Sequence, residues 1–304
     1  MSRCTLASSA VVTLRFRDRT FEPGGRPLLM GIVNATSDSF SDGGDHPTLE
    51  ARVTHGEALL AEGADLLDVG GESASGHIPA VDADVEIDRV VPLIVRLTGE
   101  HAAVVSVDTY KPAVAEAAIA AGASLVNDVS GLRDPELASV CAATGAGLVI
   151  MHTRAEPKGT LLDPGRYDDV AADVARFLRE RMHVALDRGV APEQILLDPG
   201  PDFAKTPAQT VAMLRAFGDL RSLGRPLLLA VSNKDFVGAI TGRAARERLA
   251  GTLAAVGFGV DAGAAVLRVH DVAAVADYLR VRDVLRGEIE LAPEEGLSPD
   301  RYPA

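Results

Sequence analysis

The feature that most restricts the fold is an eightfold rhythm. Short runs rich in Leu, Val and Ile recur at residues 28–34, 64–73, 103–110, 124–130, 147–153, 195–200, 226–232 and 264–272, and helical stretches separate them. Four runs are entered through one local phrase: Glu62-Gly63-Ala64, Ala121-Gly122-Ala123, Thr144-Gly145-Ala146 and Ala262-Gly263-Ala264. A glycine just past the last helical residue supplies the left-handed cap that turns a helix tightly into a strand. Gly189 and Gly224 punctuate in the same way before the sixth and seventh runs. Segments 49–62, 113–121 and 170–187 space apolar residues at helical intervals, with charges on the other face.

Strands buried on both faces and alternating with helices imply a parallel sheet with right-handed crossovers. Eight such units predict an α/β protein of the (β/α)8 TIM-barrel type, about 250 residues in its usual form. The barrel is expected over about 28–286. An N-terminal β-hairpin at about 11–22, turning at Asp18 toward Phe21, is positioned to plug its floor, and 287–304 form an acidic, proline-containing tail. A doubly wound sheet is the competing architecture, but it needs a glycine-rich phosphate fingerprint after the first run, and none is there.

Composition narrows the partners. The 304 residues carry 43 acidic and 30 basic side chains, a formal charge of −13 that offers no phosphate-tracking footprint. Nucleic acid and anionic membrane are therefore excluded as expected partners. Cys4 and Cys141 cannot build a disulfide framework or a zinc quartet. No apolar run has signal-peptide or membrane-span length, so a cytoplasmic protein is expected.

In a barrel of this kind the chemistry sits at the C-terminal ends of the strands. The runs end in Asn34; Asp68 and Glu72; Asp108; Asn127 and Asp128; His152; Asp198; Lys234; and Arg268 with His270. Any one of these could be a helix cap, but a full set at one rim is a site. Asp108, Asn127 and Asp198 suit a flat, NH-rich heterocycle, because a carboxylate facing a guanidine-like edge makes a charge-assisted pair. Lys234, Arg268 and His270 suit a phosphate or pyrophosphate. Asn34 could ligate Mg2+ on such a pyrophosphate, since magnesium takes oxygen ligands and keeps much of its water. Residues 35–44, ATSDSFSDGG, look like a lid carrying Asp38 and Phe40. His152 ranks behind the others as a substrate contact, and Cys141 reads as an inert core thiol.

With these residues in view, the chain resembles the dihydropteroate synthase family of pterin-binding barrels. The resemblance runs in order through MGIVNATSDSFSDGG from Met30, DVGGES from Asp68, SVDTYK from Ser106, NDVSG from Asn127, MH at Met151, LDPG from Leu197, SNK from Ser232 and RVHDV from Arg268. It implies a pterin pocket at Asp108, Asn127, Asp198 and Lys234, a pyrophosphate site at Asn34, Arg268 and His270, magnesium at Asn34, and a homodimer. It also implies an acceptor pocket at Phe40, Ser232 and Asp235, with Lys234, Asp108 and Asp38 as catalytic candidates. The family joins 6-hydroxymethyl-7,8-dihydropterin pyrophosphate to 4-aminobenzoate, an arylamine, and releases pyrophosphate.

Departures cluster on the acceptor side. Where the family usually reads GGESTRPG, this chain has GGESASGH, with Ala74, Ser75 and Gly76 in place of an anchoring cation and its neighbours. Where the family carries SRKS or SRKT, it has Ser232-Asn233-Lys234-Asp235, so a carboxylate replaces the hydroxyl that meets the aminobenzoate. Two like charges at ~4 Å repel by about 1 kcal/mol in water, unless Asp235 turns away or simply caps the helix that follows. LDPGPDFAK also places Asp202 where a small residue is usual. Three other readings stay open: a different amine acceptor, a catalytically weak binding subunit, and, more distantly, a pterin-dependent methyltransferase barrel.

Overall fold

A computed structural model describes residues 13–22, 25–36, 46–73, 79–159 and 161–292. The chain begins with an antiparallel hairpin, β1 (Leu14–Phe16) and β2 (Arg19–Phe21), turning through Arg17 and Asp18. The eight expected runs become eight parallel strands: β3 (Leu28–Asn34), β4 (Leu66–Gly70), β5 (Val105–Asp108), β6 (Leu125–Asp128), β7 (Gly147–Met151), β8 (Ile195–Asp198), β9 (Leu228–Leu229) and β10 (Val266–Val269). They neighbour one another in the order β8-β7-β6-β5-β4-β3-β10-β9. A parallel bridge between Leu197 and Leu227 joins the two ends and makes the sheet a TIM barrel.

Helices α1 (Leu49–Ala61), α2 (Ala83–His101), α3 (Pro112–Ala120), α4 (Glu136–Thr144), α5 (Val170–Asp187), α6 (Pro207–Arg215), α7 (Asp235–Thr241), α8 (Leu249–Asp261) and α9 (Val272–Leu285) surround it. The helix-to-strand glycines act as expected: Gly145 caps α4 at φ 74°, and Gly263 follows α8 at φ 97°. Apart from β3, the strands are shorter than the apolar runs, most of all β9, where 226–232 contracts to two ladder residues. The run leaves the sheet there because the left-handed Asn233 and the start of α7 turn the chain outward.

Two apolar clusters sandwich the strands. The larger lies between barrel and helices and includes Leu29, Leu67, Val126, Leu148, Leu197 and Leu267. The smaller fills the floor with Met30, Leu66, Leu125, Val149, Leu196, Leu228 and Val266, and the hairpin inserts Leu14 and Phe16 into it. The hairpin therefore plugs the barrel. Among the described residues no helix is long and apolar enough to cross a membrane.

Candidate functional site

Side chains on a strand alternate between faces, so the interior position above each floor residue lies two residues further along. Above Leu66, Leu125, Leu196 and Val266 of the floor stand Asp68, Asn127, Asp198 and Arg268. The barrel thus changes from apolar to charged within one layer, toward its C-terminal mouth.

Arg268 organises this layer. Its Nε donates to Asp68 Oδ2 at 2.6 Å and its Nη2 to Asp108 Oδ2 at 2.8 Å. Asn127 Nδ2 donates to the same Asp68 oxygen at 3.0 Å. Asp68 is fully buried and its Oδ1 has no hydrogen-bond partner, so the guanidinium is what makes this carboxylate tolerable. Two of the five Arg268 N–H donors are engaged with these carboxylates. Burial raises Asp108 to about 7; the pull of Arg268 opposes this, and repulsion from Asp68 adds to it. Asn34 closes a line across the mouth, since Asn34, Gly70, Asp108 and Asn127 are successive register partners on β3 to β6.

Asp198 ends β8 and accepts the Gly200 N–H at 2.7 Å. Burial pushes its carboxyl up to about 6 against that hydrogen bond and the charges of Lys234, Lys205 and Arg268. Lys234 is the residue before α7, and its Nζ stands 4.3 Å from the centre of the Phe203 ring. Burial lowers its ammonium below the ordinary lysine value, with Asp202 and then Asp198 as the main opposing attractions. Ser232 Oγ lies 2.9 Å from His270 Nδ1 and accepts the His270 backbone N–H at 3.2 Å, tying the ends of the last two runs together.

The head of α7 separates two acidic residues with different roles. Asp202 Oδ2 accepts the backbone N–H groups of Asp235 at 2.6 Å and Phe236 at 3.3 Å, and its Oδ1 accepts the Thr210 hydroxyl at 3.0 Å. The chain therefore caps α7 with a carboxylate from another loop. The Asp235 side chain is 70% exposed and paired with Arg248 at 2.9 Å. Of the alternatives left open by the sequence, it has turned outward and been neutralised, and Asp202 provides the cap. Arg248 also donates to the Asn233 carbonyl at 2.9 Å, and Asn233 adopts φ 58°, a conformation asparagine tolerates well.

His152 does not face the mouth: it is fully buried, between Lys205 at 2.8 Å and Asp173 at 3.2 Å. At the base of the second loop, Glu72 and Glu86 share Lys111, each at 2.6 Å, and Lys158 lies 3.6 Å from Glu72. The expectations for Asp38, Phe40, Ala74, Ser75 and Gly76 fall outside the described residues. Among the described residues no group of three or more His, Cys, Asp or Glu could hold a metal ion. Sequence reasoning marked Asp68 as a strand-end acid but assigned it no role, and missed Lys205, Asp173 and Arg248. Strand parity with Asn127 and Asp198 was the available signal for Asp68; Lys205 and Arg248 come from segments between elements and Asp173 from the first turn of α5, and none of them carries such a signal.

The family described as pterin binding enzyme matches residues 30–270. A dihydropteroate synthase of Bacillus subtilis (strain 168) is 39% identical over 261 residues, covering 86% of this chain and 89% of that protein. Among solved structures, Xanthomonas albilineans dihydropteroate synthase with 4-aminobenzoic acid is 44% identical with a TM-score of 0.83, covering 91% of this chain and 98% of that one. The enzyme from the same organism in complex with 7,8-dihydropteroate is 43% identical with a TM-score of 0.80, covering 90% and 98%.

Proposed function

The chain belongs to the pterin-binding enzyme family, and from that premise we propose that it is a dihydropteroate synthase-type transferase. It joins 6-hydroxymethyl-7,8-dihydropterin pyrophosphate to 4-aminobenzoate in folate biosynthesis. The observation that carries this reading is the charged layer: Asp68, Asp108 and Asn127 around Arg268, with Asp198 and Lys234 at the same mouth.

Asp198, Asn127 and Asp108 accept from and orient the NH-rich edge of the pterin, and Lys234 holds its opposite side. The carbon–oxygen bond to pyrophosphate breaks with its electron pair on the departing oxygen. The arylamine nitrogen then forms the new carbon–nitrogen bond and releases its proton to water. Arg268 and His270 stabilise the negative charge that grows on the leaving group, while the carboxylates favour the cationic pterin. No strong general base is needed. Mg2+, when bound, neutralises pyrophosphate charge. Asn34 would hold such an ion through its amide oxygen, a hard ligand of the kind magnesium takes. A cytoplasmic homodimer completes the proposal.

The test is pyrophosphate release from the pterin pyrophosphate with and without 4-aminobenzoate. Release dependent on 4-aminobenzoate is expected, together with loss of pterin binding in Asp198→Ala; pterin affinity unchanged in that variant would sink the site assignment. A second reading keeps the alkylation but changes the amine to a neutral or cationic one. It is supported by Asp202, whose carboxylate already occupies the amides heading α7 and confronts any acceptor carboxylate there. Release with such an amine, and none with 4-aminobenzoate, selects this second reading.

A further inference from the structure

The least exposed cation among the described residues takes no part in the chemistry above. Lys205 is 1% exposed, and an ammonium in that position needs every proton satisfied. Its Nζ donates to the carbonyls of Gly200 at 2.9 Å and Phe203 at 3.0 Å and lies 2.8 Å from His152 Nδ1. Three donors thus meet these three acceptors, with the His152 backbone carbonyl a longer fourth contact at 3.5 Å. With Nδ1 accepting, the imidazole proton sits on Nε2 and is donated to Asp173 Oδ2 at 3.2 Å. Asp173 is itself gripped by Arg154 at 2.9 and 2.7 Å. Phe177 packs edge-on to His152 at 4.9 Å, and the Tyr167 hydroxyl donates to the Ala204 carbonyl at 2.8 Å, closing the pocket.

The loop held this way is unusual. Gly200, Asp202 and Ala204 have φ values of 65°, 64° and 52°, a left-handed conformation that costs energy wherever a Cβ is present. Local sequence does not favour such a path, so something outside the loop must hold it. The same loop delivers Asp202, which caps α7, and Phe203, whose ring Lys234 contacts, and through its Gly200 N–H it holds a third group, Asp198 at the end of β8.

We propose that Lys205 is a positioning residue for the pterin site. By tying the carbonyls of Gly200 and Phe203 to the end of β7 through His152, it holds Asp198 and the Phe203–Lys234 contact in register. The proposal rests on the reading that Asp198 and Lys234 serve the pterin. Burial lowers the Lys205 ammonium to about 7. The charges facing it are Asp198, Asp202 and Asp173, which favour the cation, and Lys234, which opposes it; His152 is the titratable group in contact.

The probes are 6-hydroxymethylpterin and, separately, inorganic pyrophosphate, each titrated into the whole protein. Lys205→Met is expected to weaken the pterin at least tenfold and to change pyrophosphate by less than twofold. His152→Leu, which removes the imidazole and leaves Lys205 its backbone carbonyls, reproduces the selective loss, and His152→Gln, which can accept from Lys205 and donate to Asp173, restores binding to within about threefold. Pterin affinity within twofold of the parent in the folded variants, or equal losses for both probes, overturns the proposal. Absence of pterin binding by the parent protein would instead defeat the functional reading.

Discussion

Asp202→Asn isolates charge from structure at the head of α7. Asparagine caps helices about as well as aspartate and tolerates left-handed backbone, so the bonds to the Asp235 and Phe236 amides survive and stability should change by less than about 0.5 kcal/mol. What disappears is one negative charge at the proposed acceptor side of the mouth. At ~7 Å and an effective dielectric constant of ~40, a unit charge acts on a carboxylate with about 1 kcal/mol, or roughly fivefold in a rate or binding ratio. The assay compares kcat/KM for 4-aminobenzoate and its uncharged isostere 4-aminobenzamide, following pyrophosphate release. The benzoate-to-benzamide ratio is expected to rise ~5-fold in Asp202→Asn. It should rise less in Asp235→Asn, because Arg248 at 2.9 Å already balances that carboxylate. A ratio unchanged in Asp202→Asn, or a larger effect from Asp235→Asn, would refute the assignment of the acceptor-side field to Asp202.

Three further outcomes follow from the same geometry. Arg268→Gln strands the fully buried Asp68 beside Asp108 and should cost about 3–5 kcal/mol, read as a Tm lower by roughly 5–8 °C, with a smaller loss at pH 5 where Asp108 takes a proton. An equal Tm loss at pH 5 and pH 8 would argue against that coupling. Gly200→Ala adds a Cβ at φ 65° against the His152 carbonyl, which should destabilise by about 2–5 kcal/mol in denaturant titrations and abolish pterin binding; a silent substitution would contradict the loop geometry. For pH, Asp198 rises from an ordinary 3.8 to about 6, so between those values the folded protein keeps a proton that the unfolded chain has released. Its stabilising contribution is complete below 3.8 and lost as the pH rises through 6. A pterin that binds the ionised carboxylate reverses this, and the Tm increase on adding pterin should be larger at pH 7 than at pH 5; equal increases would show that Asp198 does not meet the ligand as an anion.

Much of the site was legible along the chain because strands impose a period of two and barrels present their strand ends at one rim. Leu66 and Asp68, Leu125 and Asn127, Leu196 and Asp198, and Val266 and Arg268 are the same step repeated on four strands. Pairing was not legible. Nothing local to Arg268 says that it bridges Asp68 and Asp108 from across the barrel, and Arg248 reaches Asp235 only because α8 folds back beside α7. Asp235 drew attention as the extra acid next to Lys234, yet its charge is spent on Arg248, and the acid that touches the α7 amides is Asp202.

What the sequence determined by itself was the repeating unit: a buried strand with a polar end, eight times, six of them entered from a helix through a glycine, with a hairpin ahead of the first. That information is local, carried by backbone preference and hydrophobic period, and it survives without knowing any contact. Only the tertiary structure decided which charges neutralise one another, because those energies depend on distance and burial between residues far apart in sequence. Lys205 is the sharpest case: a lysine in a loop by sequence, and by structure a buried ammonium holding that loop against the end of β7.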